Sequence, residues 1–499
     1  MTYTSTRDNQ AAVSAAEAIT RGISPEGGLF VPSSIPALTM EEIQALAGLS
    51  YPERADAVLG KYLTDFTREE VAACTAAAYS PEHFRAPEIA PLRELEEGVH
   101  ILELWHGPTC AFKDMALQIL PHLMRVSAGK TLDGKEIVIL VATSGDTGKA
   151  ALEGFRDASG TRILVFYPED GVSPMQKLQM TTQDGDNVAV CAIRGNFDDA
   201  QTGVKAIFTD PIVGEKLKEH HMLFSSANSI NWGRLAPQIV YYISAYSDLI
   251  RTDKIRPGDP INIVVPTGNF GNILAAYYAG KMGLPIRRLI CASNRNRVLT
   301  DFIRTGVYDR NRDFYTTTSP SMDILISSNL ERLLYDLSGG DAAEIRGMMA
   351  SLAKEGRYQV TEGMREAIQS QFSAGWCDDR QAAEAIAETF RRHGYLLDTH
   401  TAVAMHVYRE YRRETGDDTP AVIASTANPY KFAASVLAAL GDACGDRDEF
   451  ARLEELERKT GCPVPPPLAA LRGKAPRFTG VCDREGMREV VYSMLHIAE

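Results

Sequence analysis

Residues 136–155 read EIVILVATSGDTGKAALEGF. After Glu136 the first part is an unbroken apolar run, too short for a helix and without the alternation of a half-exposed strand. It predicts a strand buried on both faces. A Gly-rich turn, TSGDTG (143–148), follows, and KAALEGFRDAS then has helical spacing. The same unit recurs in both directions. RILVFYP (162–168) and VAVCAI (188–193) are further buried strands, the latter followed by FDDAQTGVKAIF. MLFSSAN (222–228) precedes the long apolar helix WGRLAPQIVYYISAYSDLI, and INIVVPT (261–267) leads through GNFGN into ILAAYYAGKMG. Alternating strands and helices predict an α/β fold of mostly parallel sheets with helices on both faces. Ligands in such folds sit at the carboxyl ends of the strands, where both Gly-rich turns fall.

The flanks read differently. In residues 1–95, AAVSAAEAITRG is helical and stops at Gly22, PEGGLFVP frames a short strand, and MEEIQALAGL and VLGKYLTDF have helical spacing. The prolines of RAPEIAPLREL mark a boundary near residue 95. Residues 296–396 are rich in Arg, Asp and Glu at helical spacing and read as a helical insertion. The α/β pattern resumes at PAVIASTANPYKF (420–432), and the tail carries the Pro-rich CPVPPPLAAL and a last helix. The expected organisation is an N-terminal domain (1–95), a large domain (96–135 and 241–440, with the insertion), a small α/β domain (136–240) and a C-terminal extension (441–499).

The chain has 499 residues, 44% of them hydrophobic, and a formal net charge of −13. That apolar fraction excludes general disorder. The acidic balance argues against nucleic acid or an anionic membrane as partner, since both demand excess Lys and Arg. No apolar stretch approaches the roughly 20 residues of a membrane span, and the polar N-terminus lacks the apolar core of a signal peptide. Eight scattered cysteines without a C-x-x-C pair suit a cytoplasmic protein with reduced thiols. No spacing suggests a metal site, and H-E-x-x-H and G-x-S-x-G are absent.

Five segments have residue types suited to chemistry. In HGPTCAFKDMALQ (106–118), Lys113 lies beside apolar residues. Desolvation disfavours its ammonium form, and a neutral amine can form a Schiff base. The plain alternative is a surface lysine at a helix start. TSGDTG offers hydroxyls and backbone N–H groups to an anion. It is not the ATP-type loop, despite Lys149, and capping of the next helix explains it equally well. PTGNFGN (266–272) has the form of a phosphate cradle without a basic residue, since Gly268 and Gly271 allow close backbone approach. Ser425 and Thr426 of STANPYKF end a buried strand. SSANSINWGR (225–234) closes with Arg234, a possible partner for phosphate or carboxylate or a solvated charge beyond a capped helix start. His400 in LLDTHTAVA reads as a structural histidine at a helix start.

Taken in order, HGPTCAFKDMALQ, TSGDTGKAA, SSANSINWGR, PTGNFGN, LDTHTAVA and STANPYKF make the chain resemble the threonine synthase family, of the longer kind with an N-terminal domain; EGGLFVP fits as well. The resemblance implies fold type II of the pyridoxal-phosphate enzymes, similar to the tryptophan synthase β-subunit. It implies pyridoxal 5'-phosphate as cofactor, carried on Lys113, with its phosphate on Gly268, Asn269, Phe270, Gly271 and Asn272. Thr426 would face the pyridine nitrogen. Thr143, Ser144, Asp146 and Thr147 would close on the substrate, and Asn231 and Arg234 are candidates for the substrate phosphate. Asn428 stands where many relatives have His, and neither it nor Cys110 is given a role. The implied reaction is the last step of threonine biosynthesis, O-phospho-L-homoserine and water to threonine and phosphate, by a carbon–oxygen lyase acting on phosphates. A related phospholyase or ammonia-lyase, giving 2-oxobutyrate, would share the lysine and the phosphate loop. Either a monomer or a homodimer is compatible with the sequence.

Overall fold

The computed structural model describes residues 1–143, 145–170, 172–442, 445 and 447–497, with only the backbone of Asp198. Two open sheets organise the chain. The smaller has five parallel strands in the order Val481–Cys482, Val188–Ile193, Thr161–Pro168, Glu136–Ala142, Met222–Ser225. The larger has six, in the order Phe372–Trp376, Ile286–Ser293, Ile261–Pro266, Ala421–Ser425, Val99–Glu103, Leu92–Glu96. All its pairs are parallel except the last. The inner strands Ile261–Pro266 and Ala421–Ser425 are buried along their whole length, as strands covered by helices on both faces must be. The antiparallel edge strand Leu92–Glu96 is largely exposed and charged, which blocks pairing with a further chain.

The helix Trp232–Arg251 is the spine of the molecule. It is buried from Trp232 to Leu249, because it is apolar on nearly every side. It packs against helices Tyr51–Leu59 and Met40–Leu46 on one side and Gly271–Lys281 on another. The expected boundary at 240/241 falls inside this continuous helix. The N-terminal residues form a three-stranded antiparallel sheet, Asp8–Val13, Tyr3–Ser5, Phe30–Pro32, with short helices. Arg7 anchors them to the insertion through Glu331, at 2.8 Å from Nε and 2.7 Å from Nη2.

Several expected elements differ. Helix Ala15–Arg21 starts later than its alanines suggest, because Ser14 and Glu17 form a capping box and residues 11–13 pair as strand. VLGKYLTDF is helical only to Leu59; beyond Gly60 it is turn, although Tyr62, Leu63 and Phe66 are buried at helical spacing. The boundary expected near residue 95 lies within strand Leu92–Glu96. The 296–396 insertion is not wholly helical. Its FSAGW segment forms the edge strand Phe372–Trp376, too short and too mixed to show a period. The tail adds to the small sheet. Val481–Cys482 completes the small sheet, and helix Met487–Leu495 buries Met487, Val491 and Leu495 against that sheet's core.

Candidate active site

Lys113 precedes the short helix Asp114–Leu117. Its loop is zipped to the end of strand Ala421–Ser425. Phe112 N–H donates to Thr426 O at 2.8 Å, Asn428 N–H donates to Cys110 O at 3.0 Å, and Ala111 and Ala427 form an isolated antiparallel bridge. The zip brings the Lys113 loop and Thr426 together. Behind it, the buried Asp114 accepts from Thr109 N at 2.9 Å and from Thr109 Oγ1 at 2.7 Å. Desolvation of the Lys113 amine lowers its pKa to about 8, opposed by the nearby Asp146 carboxylate and helped by Arg234 and Lys431.

The TSGDTG turn follows strand Glu136–Ala142. Thr143 Oγ1 accepts from Gly145 N at 3.0 Å and Gly148 N at 2.9 Å, so its hydroxyl caps helix Asp146–Phe155. A Cβ at Gly145, whose φ is +136°, would lie 2.4 Å from the Gln176 side chain. Thr147 is half-buried in the first turn, and Ser144 lies outside the described residues. Lys149 is bound by Glu153 at 2.8 Å and by Gln183, in keeping with rejection of the ATP-type loop. Asp146 is buried, takes a hydrogen bond from Gln176 Nε2 at 3.0 Å and pairs with Lys431 Nζ at 2.8 Å. Burial alone would raise its pKa, but the Lys431 and Lys113 charges hold it well below the usual carboxylate range.

Lys431 went unnoticed in the sequence. It belongs to the short 3-10 helix Pro429–Phe432, and its ammonium is fully buried. Besides Asp146 it donates to Thr109 O at 2.8 Å and Gln179 Oε1 at 3.3 Å. The available signal was a lone lysine between Tyr430 and Phe432 in an apolar run, since lysines are almost never fully buried without a partner.

The PTGNFGN turn follows strand Ile261–Pro266. A Cβ on Gly268 would lie 2.6 Å from Ser321 O, so the backbone alone fits there. The insertion braces the turn: Ser327 Oγ donates to Gly268 O at 2.8 Å, and Asn329 donates to Asn269 O at 3.1 Å from both backbone and side chain. Phe270 is in the left-handed region at φ +63°, a conformation that disfavours a bulky residue. Its buried ring packs 5.9 Å from Phe372 of the edge strand. Helix Gly271–Lys281 begins here and presents unpaired N–H groups to the turn. Asn272 Oδ1 accepts from Tyr241 at 2.7 Å and from Tyr242, whereas its buried Nδ2 has no hydrogen-bond partner among the described residues. An orphaned buried donor beside a bare-backbone cradle fits an anion such as a cofactor phosphate.

The SSANSINWGR candidates separate. Asn231 Nδ2 donates to Ile19 O at 2.9 Å and Ser226 O at 2.8 Å, and its Oδ1 caps Gly233 N at 2.8 Å. Both amide protons serve the fold, leaving none to donate to a phosphate. Arg234 is buried; Nη1 donates to Ala227 O at 2.5 Å, and Nε has no partner among the described residues. No carboxylate pairs with it among the described residues, and burial lowers its pKa to about 10. His400 is held on both ring nitrogens, by Asp398 Oδ1 at 3.1 Å and by Ser321 N at 3.2 Å, which suits the structural reading. Ser425 Oγ accepts from Trp105 Nε1 at 3.0 Å. Among the described residues no group of His, Cys, Asp and Glu could hold a metal ion, and no helix is long and apolar enough to cross a membrane.

Known proteins resemble this chain along its length. Residues 2–79 match the family described as threonine synthase N terminus, 82–362 the pyridoxal-phosphate dependent enzyme family, and 401–491 the family described as threonine synthase, C-terminal. Threonine synthase-like 1 of Homo sapiens is 43% identical over 434 residues, 85% of this chain but only 58% of that protein. The chain therefore spans less than two thirds of the length of such relatives. Threonine synthase of Pseudomonas aeruginosa is 39% identical over 473 residues, 93% of this chain and 96% of the relative. A crystal structure of pyridoxal-phosphate-bound threonine synthase from Brucella melitensis superposes with a TM-score of 0.87 at 37% identity, and yeast threonine synthase with 0.87 at 32%; each comparison covers 99% of both chains. The chain is a member of the threonine synthase family of pyridoxal-phosphate-dependent enzymes.

Proposed function

We propose that this chain converts O-phospho-L-homoserine and water to L-threonine and phosphate. The observation that supports the reading is that a desolvated Lys113, the Gly268–Asn272 turn and Thr426 lie beyond the carboxyl ends of three neighbouring strands, Val99–Glu103, Ile261–Pro266 and Ala421–Ser425. Pyridoxal phosphate, when bound, supplies the electron sink that makes a weakly acidic Cα proton removable.

The remaining work falls to the chain's own residues. Lys113 would carry the cofactor and, once free, serve as the base at Cα. Its lowered pKa leaves about a tenth of it as free amine at pH 7 and about half at pH 8. A second deprotonation, at Cβ, expels the γ-phosphate; reprotonation at Cγ, addition of the water oxygen at Cβ with loss of its proton, and return of a proton to Cα complete the balance. One lysine can serve several of these transfers. The cradle N–H groups and Asn272 would hold the cofactor phosphate, and the neutral Thr426 would meet the ring nitrogen without forcing a proton onto it. Arg234, buried without a carboxylate, is the better candidate for the substrate phosphate. Thr143, Asp146 and Thr147 would close over the substrate and exclude water until it is required. Composition supports a cytoplasmic enzyme of small molecules.

The test is product identification from O-phosphohomoserine with pyridoxal phosphate added. Threonine and phosphate in equal amounts are expected. Phosphate with 2-oxobutyrate would instead establish a phospholyase, and no turnover would sink both readings.

A further inference from the structure

The site brings two lysines to one carboxylate. The charges of both Lys113 and Lys431 act on Asp146, and among the described residues Lys431 is the one in ion-pair contact with it, at 2.8 Å. We propose that Lys431 is a positioning residue: its ammonium captures Asp146 and so keeps the Lys113 amine unpaired. The inference rests on reading Lys113 as the reactive amine.

The geometry gives Lys431 the stronger claim. An ammonium has three N–H donors, and Lys431 has three acceptors, Asp146 Oδ1, Thr109 O and Gln179 Oε1. These come from the small-sheet helix Asp146–Phe155, the loop before Lys113 and helix Pro174–Thr181. Gln176 fixes the same Asp146 oxygen from the other side. The charged and titratable groups facing Lys113 are Asp146, Arg234 and Lys431. Those facing Lys431 also include Asp114 and Cys110. Asp114 is occupied by Thr109, so Asp146 is the carboxylate for which the lysines compete. Without Lys431, Asp146 is left buried and unpaired, a costly state. Lys113 is then the cation that relieves it, and a paired Lys113 gives up its proton less readily.

The experiment reads Lys113 directly, in protein without cofactor. Acylation of Lys113 by acetic anhydride is followed by peptide mass spectrometry from pH 6 to 10. In the unaltered protein the rate should rise through a midpoint near 8. In Lys431→Met the midpoint should move up by at least about one pH unit, slowing labelling at pH 7 about tenfold. In the double variant Lys431→Met/Asp146→Asn the rate should recover to the unaltered level or above. A loosened fold would not produce that recovery. Lys431→Gln, which can still donate to Thr109 O, is the fallback if Lys431→Met does not fold, with the same slowing expected. An unchanged rate in the single variant, or a double variant as slow as the single, would overturn the proposal. Failure of the underlying reading shows separately, as no visible absorption band when pyridoxal phosphate is added to unaltered protein.

Discussion

At the scale of single residues, the lowered pKa of Lys113 has a measurable sign. Desolvation favours the neutral amine, so the reactive fraction grows as pH rises through about 8. Loading of pyridoxal phosphate onto the cofactor-free protein should quicken about fivefold between pH 7 and pH 8 and level off above about pH 9. An ordinary lysine would keep gaining past pH 10. Stopped-flow absorbance across that range checks it, and a rate still climbing at pH 10 would refute a desolvated Lys113. Lys113 was singled out by the ordered motifs around it, since its apolar neighbours Ala111, Phe112 and Met115 alone left a surface lysine as the alternative. The role of Lys431 was not legible, although it has the same apolar signature, because its meaning depends on a carboxylate some 285 positions away in the chain.

At the scale of elements, the strands and Gly-rich turns could be read because continuous apolar runs and glycines are local signals. The side chains at the turns were harder to assign, since one residue type serves both fold and ligand. Asn231 illustrates this. It caps the spine helix and ties it to helix Ala15–Arg21 through Ile19 O. Asn231→Ala should lower stability by about 1–3 kcal/mol, from the lost cap and the stranded carbonyls. It should leave the Michaelis constant for the phosphorylated substrate within about twofold of normal, since a group that makes no contact with the substrate phosphate removes no binding energy. Urea unfolding and steady-state kinetics check the two halves, and a tenfold rise in KM at unchanged stability would return Asn231 to the substrate site. FSAGW escaped for the opposite reason: its pairing with Ile286–Ser293 is visible only once that strand has a free side.

At the scale of the whole molecule, the Lys431–Asp146 pair joins the two sheets, since each residue follows a strand of a different one. The Asp146 pKa is depressed in the folded chain. Its contribution to stability is therefore complete above the unfolded value of about 4 and is lost as pH falls below that. Thermal melts from pH 6 to pH 3 should fall more steeply for the unaltered protein than for Asp146→Asn, which is less stable at neutral pH but has no proton to take up. Parallel curves would show that the pair does not set acid stability. The small sheet also has a consequence for synthesis. The end of its strand Val188–Ile193, at Ala192 and Ile193, is covered by Val481–Cys482, which leaves the ribosome roughly 290 residues later, about 15–60 s at ordinary elongation rates. During that interval the end of that strand offers an unpaired edge to other nascent chains, so Val481–Cys482 guards Ala192 and Ile193 against pairing with them as well as completing the sheet.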